Sequence, residues 1–327
     1  MNKEDLKIVF FGTPEFAVES LDALVKNGFN VAAVVTMPDK ASGRGQKVSY
    51  SAVKKYALEH SLPLLQPEKL KDEAFVQALR DVAADLFIVI AFRMLPEVVW
   101  AMPPLGTFNL HGSLLPRYRG AAPINRAIMN GDAETGVTTF FLKHEIDTGD
   151  IIDRVSIEVG PNENAGSVHD RLMMLGAELT VKTVESILNG TLTTRPQSSF
   201  TDEAPTPAPK IFKEDCRIDW TLGASQLHNH VRGLAPYPAA WTDISFEGPE
   251  GEHQYSVKVL ETRIADECKG LEAGKLVLQH KKVYCGTGDG TSLELVTVQP
   301  SGKRPMPAAD FIRGLRPEEK GLNLWFV

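Results

Sequence analysis

The chain has 327 residues, of which 43% are hydrophobic and 24% charged, so it is long enough for two domains with a buried core in each. Its formal net charge of −7 argues against nucleic-acid binding through a global positive field, and a polyanionic partner would have to meet local basic patches. No apolar run approaches the ~20 residues that a membrane span needs, and the polar N-terminus predicts no signal peptide. Three cysteines without a CxxC pair favour a reducing cytoplasm over a disulfide framework.

The first part of the chain alternates apolar runs with helical patterns. Strands are predicted at residues 6–11, 29–36, 63–67, 84–92 and 106–112, and helices at 14–28, 51–61, 73–82 and 165–190. Strands that are apolar throughout are typical of a parallel sheet covered on both faces. We therefore expect an α/β, Rossmann-like fold with a mostly parallel sheet.

The composition changes near residue 193. Residues 193–210 are rich in Pro, Thr and Ser and poor in large apolar side chains, which is a linker composition. Beyond them, alternating segments turn on Gly and Asp, as in a small β-barrel of the OB-like type. The predicted organisation is an α/β domain at 1–192, a linker at 193–210 and a β domain at 211–327.

The turn after the first strand argues against a dinucleotide-binding dehydrogenase. That fold would place GxGxxG there. The sequence has FFGTPEFA, in which Gly12 is the only glycine.

A candidate catalytic group lies in FNLHGSLLPRYRG, residues 108–120. Asn109 and His111 share one face of a strand, because side chains alternate with period two, and ligands bind at the carboxyl ends of such strands. An amide can stabilise an oxyanion, and an imidazole can exchange a proton near neutral pH. The sequence has no GxSxG elbow, so direct acyl transfer is favoured over a covalent acyl-enzyme. On these residues alone, a structural role in capping the strand end remains open.

A third group adds to this pair. IDTGD, residues 146–150, places Asp147 and Asp150 in a glycine-containing turn. A carboxylate there can orient the imidazole of His111. His144 is a competing base, but its charged neighbours predict an exposed position.

These motifs, together with KIVFFGTPEFA, VVTMPDKASGRGQK, FKEDCRIDW and TGDGTSLELVTVQPSGKRPM, resemble the folate-dependent formyltransferases over nearly the whole chain. The resemblance implies transfer of a formyl group from 10-formyltetrahydrofolate to the amine of methionine on initiator Met-tRNA, by a monomer that needs no metal. It also implies that Asn109, His111 and Asp147 are catalytic.

The same resemblance implies a folate site at the SLLP loop, formed by Ser113, Leu114, Leu115 and Pro116. Two departures from the family pattern affect its surroundings. Glu145 stands where the family usually has glycine, and Ala91-Phe92-Arg93 begins a segment that differs from the usual AYG-x-I-L.

Two basic segments are candidate tRNA contacts. The loop at residues 37–51 carries Lys40, Arg44 and Lys47 against Asp39 alone, and PSGKRPM carries Lys303 and Arg304. By composition the first is an ordinary solvated loop. The resemblance implies that Arg44 contacts the acceptor stem. The role of Arg119, close to the catalytic strand, stays open.

Other functions use the same features differently. A formyltransferase for a sugar amine or glycinamide ribonucleotide would not need the basic segments, and a 10-formyltetrahydrofolate hydrolase would use water as the acceptor. A non-catalytic RNA-binding module predicts a basic chain. HNH at residues 228–230 lacks a partner spacing for zinc and is better interpreted as part of a helix.

Overall fold

The computed structural model describes residues 2–42, 47–200, 204–248, 251–317 and 321–327. The chain divides into two compact units. The second contains the residues from Pro209 onward together with Ile124–Glu134 and Glu158–Val168, and the first contains most of the remainder. The domain boundaries drawn from the sequence stay a prediction.

The described residues of the first unit form eleven strands, several of them only two or three residues long. In chain order they are β1 (Lys7–Gly12), β2 (Asn30–Val35), β3 (Lys40–Ser42), β4 (Lys47–Ser49), β5 (Leu64–Leu65), β6 (Leu86–Ile90), β7 (Thr107–His111), β8 (Arg119–Gly120), β9 (Glu134–Phe141), β10 (Ile151–Glu158) and β11 (Pro207–Ala208). Seven of them form one sheet in the order β10-β9-β7-β6-β1-β2-β5. Strands β3 and β4 form a separate antiparallel pair, and β8 and β11 a parallel one.

Helices connect these strands. They are α1 (Glu15–Lys26), α2 (Ala52–Glu59), α3 (Glu73–Val82), α4 (Glu97–Trp100), α5 (Pro123–Met129) and α6 (Ala165–Leu188). The start of α2 is stabilised by the Ser51 side chain, which accepts a hydrogen bond from the Lys54 amide, and Asp72 does the same for α3. No helix in the described ranges is long and apolar enough to cross a bilayer.

The predicted parallel sheet is confirmed. Strand β1 pairs in parallel with β2 and β6, and β6 pairs in parallel with β7. The central residues Ile8, Phe10 and Ile88 are fully buried. This burial explains why the sequences of these strands are continuously apolar. The carboxyl ends of β1, β6 and β7 therefore share one end of the sheet, where His111 is the last residue of β7.

Strand β9 departs from the parallel arrangement and runs antiparallel to β7. It was not predicted from periodicity because its interior positions include Thr135, Thr138 and Thr139, all nearly or fully buried. Two of the three hydroxyls have internal partners: Thr138 Oγ1 donates to the Ser113 carbonyl, and Thr139 Oγ1 bonds Thr183 Oγ1.

From Pro209 onward, the described residues of the second unit form an antiparallel β domain with two α-helices. Its elements are α7 (Ala224–Leu234), β12 (Ala240–Gly248), β13 (Gly251–Ala265), β14 (Leu276–Gln279), β15 (Lys282–Gly286), β16 (Ser292–Pro300), β17 (Met306–Pro307), α8 (Ala308–Leu315) and β18 (Trp325–Phe326). The main order is β14-β15-β16-β13-β12-β18. A bridge between Lys275 and Trp325 joins the two outer strands, so the sheet closes on itself as a barrel. The predicted change to an antiparallel β domain is confirmed.

Candidate active site

The end of β7 places an amide and an imidazole on one face of the sheet. Asn109 and His111 are two residues apart, and their neighbours in β9 are Phe140 and Thr138. The Asn109 side chain is half-buried, and across the described ranges it has no hydrogen-bond partner. Its NH2 group is therefore available to a ligand.

The ring of His111 is fixed by its own loop. His111 is 7% exposed, and Nε2 lies 2.8 Å from the carbonyl oxygen of Tyr118. A carbonyl only accepts, so Nε2 carries a hydrogen and donates it. Proton exchange is therefore left to Nδ1, which faces Asp147 Oδ2 at 3.8 Å.

The Asp147 carboxylate is positioned by a backbone donor. The Gly120 amide donates to Asp147 Oδ2 at 2.9 Å, and the side chain is 15% exposed. The separation of 3.8 Å from His111 Nδ1 is within ion-pair range but too long for a direct hydrogen bond. Asp147 and His111, far apart in the sequence, thus meet at the end of the sheet. The other carboxylate of the turn, Asp150, is paired with a lysine: its Oδ1 accepts a hydrogen bond from Lys143 Nζ at 2.9 Å.

The turn that presents Asp147 depends on Gly149. Asp147 has a positive φ of 54°, which aspartate tolerates better than most residues. A Cβ added to Gly149 would overlap the carbonyl oxygen of Phe141. The requirement for glycine at this position is therefore steric.

We expect Gly149→Ala to unfold at lower denaturant concentration, with a loss of about 1–3 kcal/mol, and to lose turnover because the turn must move away from Phe141. Denaturant unfolding and kcat measure the two effects. The matched control is Gly314→Ala: Gly314, like Gly149, has no positive φ, but outside its own helix no atom lies within 4 Å of an added Cβ, so it tests the substitution without a clash. A fully active Gly149→Ala variant would contradict the steric requirement.

The SLLP loop is largely closed on itself. Ser113 and Leu115 are fully buried, Ser113 Oγ donates to the Arg117 carbonyl at 2.7 Å, and the Leu115 carbonyl accepts from Arg154 Nη1 at 2.6 Å. Pro116 is also buried, and Leu114 is half-buried. Of the four predicted folate residues, Leu114 therefore has the most side-chain surface to offer a ligand.

A cavity of about 500 Å³ lies beside the Asp147 turn, within the first unit. Its walls are Trp100, Leu142, Lys143, His144, Glu145 and Thr148. Leu142 also packs against the cluster of Leu115, Phe140 and Ile151, so one wall of the cavity rests on the core that includes Leu115 of the SLLP loop. The volume is within the ~300–1,000 Å³ range of small-molecule sites.

The two departures from the family pattern have simple structural accounts. Glu145 is exposed and is not among the residues with positive φ, so nothing in its backbone conformation requires glycine. Arg93 donates to the carbonyl oxygens of Pro67 and Glu68 at 2.7 and 2.9 Å. Burial lowers the pKa of Arg93. Both terminal nitrogens of its guanidinium are engaged with the backbone, while its buried Nε has no hydrogen-bond partner among the described residues.

The predicted basic loop is described only at its base. Arg44 lies outside the described residues, and Lys40 and Lys47 belong to the paired strands β3 and β4, with no description of their side chains. Asp39 accepts from Lys54 Nζ at 2.6 Å, and this hydrogen bond lowers the pKa of the Asp39 carboxyl. The one carboxylate of the loop is therefore already paired.

Lys303 and Arg304 are exposed in the turn between β16 and β17. The Lys303 carbonyl accepts from Gln299 Nε2 at 2.9 Å. Gln299 pairs across the sheet with Lys258, Lys258 pairs with Trp241, and Trp241 bridges to Arg217. We call these four residues, Arg217, Trp241, Lys258 and Gln299, the barrel row.

The barrel row combines cations with an aromatic ring. The Arg217 guanidinium lies 4.9 Å from the centre of the Trp241 ring, and Lys213 Nζ lies 5.6 Å from it. Asp243 offsets part of this charge, at 3.5 Å from Arg217. The row was missed in the sequence because its members come from four separate segments.

The histidines of HNH lie on helix α7, as interpreted from the sequence. His228 is 4% exposed, and its two ring nitrogens bond Thr262 and the Pro161 carbonyl, each at 3.0 Å. Burial lowers the pKa of His228. Its contacts are those of a core histidine.

Comparison with known proteins identifies the family. Residues 6–184 match the formyl transferase model, and residues 210–316 match the model of the formyl transferase C-terminal domain. The chain belongs to the formyl transferase family.

The similarity extends to particular members. A methionyl-tRNA formyltransferase of Bacteroides fragilis is 53% identical over 315 residues, which is 96% of each chain. One from Bacteroides thetaiotaomicron is 54% identical over 318 residues, covering 97% of this chain and 98% of its own. A solved sugar 3N-formyl transferase, obtained with dTDP and 5-N-formyl-THF, matches with a TM-score of 0.63 at 20% identity, covering 93% of this chain and 100% of that one. At this identity the structural match supports the fold alone.

Proposed function

We propose that this chain transfers the formyl group of 10-formyltetrahydrofolate to the free α-amine of methionine on initiator tRNA. The main support for this proposal is that Asn109, His111 and Asp147 lie close together at the end of the sheet. This arrangement occurs in a chain about half identical to methionyl-tRNA formyltransferases.

The geometry supports direct transfer without an acyl-enzyme. Ser113 is the nearest hydroxyl in the catalytic stretch, but it is fully buried and its Oγ donates to the Arg117 carbonyl. It therefore lacks both access and a base. The substrate amine is left as the nucleophile that attacks the formyl carbon.

Asn109 and His111 have different roles in this reaction. The free amide of Asn109 donates to the oxygen that becomes negative in the tetrahedral intermediate. His111 Nδ1 accepts the proton that the attacking amine loses and delivers it to the leaving nitrogen of the donor. Asp147 stabilises the protonated imidazole from 3.8 Å.

For the donor, we propose the cavity beside the Asp147 turn, with Leu114 of the SLLP loop as a neighbouring contact. Trp100 and Leu142 supply flat and apolar surface for a pterin. Leu115 of the same loop belongs to the buried cluster against which Leu142 packs, and Ser113 and Pro116 are buried next to it in the loop.

For tRNA, we propose phosphate contacts at two places. One is the basic loop of Lys40, Arg44 and Lys47. The other is the barrel row with the neighbouring Lys303 and Arg304, where cations flank an aromatic ring. These local patches suit a polyanion despite the net charge of −7.

We expect Arg44→Ala to lower kcat/KM for Met-tRNA about tenfold and to reduce the salt slope by about one, because one phosphate-scale contact is lost. Steady-state assays at several salt concentrations measure both. Arg80→Ala is the control, since Arg80 is an exposed arginine of helix α3. Equal kcat/KM in the Arg44→Ala variant and the wild type would remove Arg44 from the site.

The test of the function is incubation with 10-formyltetrahydrofolate and either charged initiator tRNA or charged elongator methionine tRNA. Formylmethionine on the initiator alone supports the proposal. Formylation of neither tRNA, with formylation of a sugar amine or release of formate instead, would replace it with one of the alternatives.

We propose that the protein works as a monomer in the cytoplasm. Its three cysteines, Cys216, Cys268 and Cys285, are free, which fits a reducing compartment.

A further inference from the structure

We propose that Gln197 is a positioning residue for Asp147, and that Arg119 acts through it. This inference rests on the proposed function for its kinetic test. It assigns a role to two residues outside the group of Asn109, His111 and Asp147.

Gln197 is a nearly buried amide directed at the catalytic turn. It is 5% exposed. Its Nε2 donates to the carbonyl oxygen of Asp147 at 2.8 Å and to that of Gly149 at 2.9 Å. These two bonds hold both sides of Thr148, so one side chain fixes the backbone from which the Asp147 carboxylate extends.

Arg119 determines which way the amide faces. Its Nε and Nη2 donate to Gln197 Oε1 at 3.1 and 2.7 Å. If the amide were rotated by half a turn, its NH2 would face the guanidinium and its oxygen would face two carbonyls, leaving donors against donors and acceptors against acceptors. With Arg119 in place, only one orientation satisfies all four hydrogen bonds.

The carboxylate is thereby held from two directions. Gln197 holds the Asp147 backbone, and the Gly120 amide, next to Arg119 in strand β8, donates to Asp147 Oδ2. The distance of Asp147 Oδ2 from His111 Nδ1 is 3.8 Å, where a small displacement changes the electrostatic contact. Loss of Gln197 would therefore act on the reaction through Asp147.

Gln197 belongs to neither matched domain. The formyl transferase match ends at residue 184, and the C-terminal match begins at residue 210. The segment predicted as a linker thus supplies a side chain to the catalytic turn.

We expect Gln197→Ala to lower kcat about 10- to 100-fold, with KM for both substrates within about twofold of wild type. In an Asp147→Ala background, the same substitution should lower kcat less than about twofold, because the positioned group is already absent. Arg119→Ala should lower kcat, and Arg119→Lys, which keeps a donor toward Gln197 Oε1, should recover most of the loss. Ser199→Ala is the control from the same segment, since Ser199 is exposed and donates to the Pro196 carbonyl.

A second readout does not require turnover. Amide hydrogen exchange of Gly120 should be faster in Gln197→Ala than in Ser199→Ala, because its acceptor on Asp147 is no longer held. If wild-type protein formylates no Met-tRNA, the proposed function fails while this exchange still tests the positioning role. Unchanged Gly120 exchange, or an equal kcat loss with and without Asp147, would overturn the inference.

Discussion

Replacement of His111 by alanine is expected to lower kcat by about 10²–10³ while the affinity for the folate donor stays near that of wild type. The reason is the single free ring nitrogen: Nε2 is committed to the Tyr118 carbonyl, so Nδ1 alone can exchange a proton. Asp147, the nearest titratable group described beside His111 Nδ1, does not replace it, because its Oδ2 is held as an acceptor by the Gly120 amide. Single-turnover formylation with saturating donor measures the loss directly.

Two controls separate chemistry from folding for this variant. Donor titration by fluorescence should give an unchanged Kd, since the proposed pterin cavity has no wall formed by His111. His169→Ala removes a partly exposed histidine whose Nδ1 bonds the neighbouring Asp170, and its kcat should equal that of wild type. Near-normal turnover in the His111→Ala variant would reject the assignment of proton transfer.

Asn109→Ala is expected to lower kcat by about 10²–10³ as well, because one preorganised oxyanion donor is lost. The Asn109 amide is half-buried and has no hydrogen-bond partner in the described ranges. Its removal therefore leaves no other group with an unsatisfied hydrogen bond. The thermal unfolding midpoint should therefore change little while turnover falls. The measurement pairs single-turnover rates with thermal unfolding of the same preparation.

The isosteric change Asn109→Asp sharpens this test. It keeps the shape of the side chain but replaces the NH2 donor by a carboxylate oxygen, which repels a developing oxyanion. Its kcat should be no higher than that of Asn109→Ala. Asn27→Ala, at the exposed end of helix α1, is the control for loss of an asparagine. A faster reaction in Asn109→Asp than in Asn109→Ala would show that the amide does not donate to the oxyanion.

Many strands and helices of the first unit could be predicted because their buried positions are occupied by apolar residues. Strands β1 and β6 are apolar along their length, and helix α3 begins and ends at the predicted residues, 73 and 82. Strand β9 could not be found this way, since its buried threonines look polar until their hydroxyl partners are known.

The candidate site shows the same limit. Asn109 and His111 are recognisable because they share one strand face, and Asp147 because a glycine-containing turn surrounds it. Their catalytic roles, like the folate and tRNA contacts, stay predictions. Gln197 cannot be recognised from the sequence, because it is a single amide within a Pro-, Thr- and Ser-rich segment. Its proposed role depends on two carbonyl oxygens that come together only in the folded turn.

The most direct measurement is a crystal structure with 5-formyltetrahydrofolate, a stable isomer of the donor. We expect the pterin against Trp100 and Leu142, with the formyl group directed to the end of β7 and Asn109 Nδ2 within about 3.2 Å of a formyl or equivalent carbonyl oxygen. A folate bound with its formyl-bearing end remote from Asn109, His111 and Asp147 would contradict a catalytic site built from these three side chains.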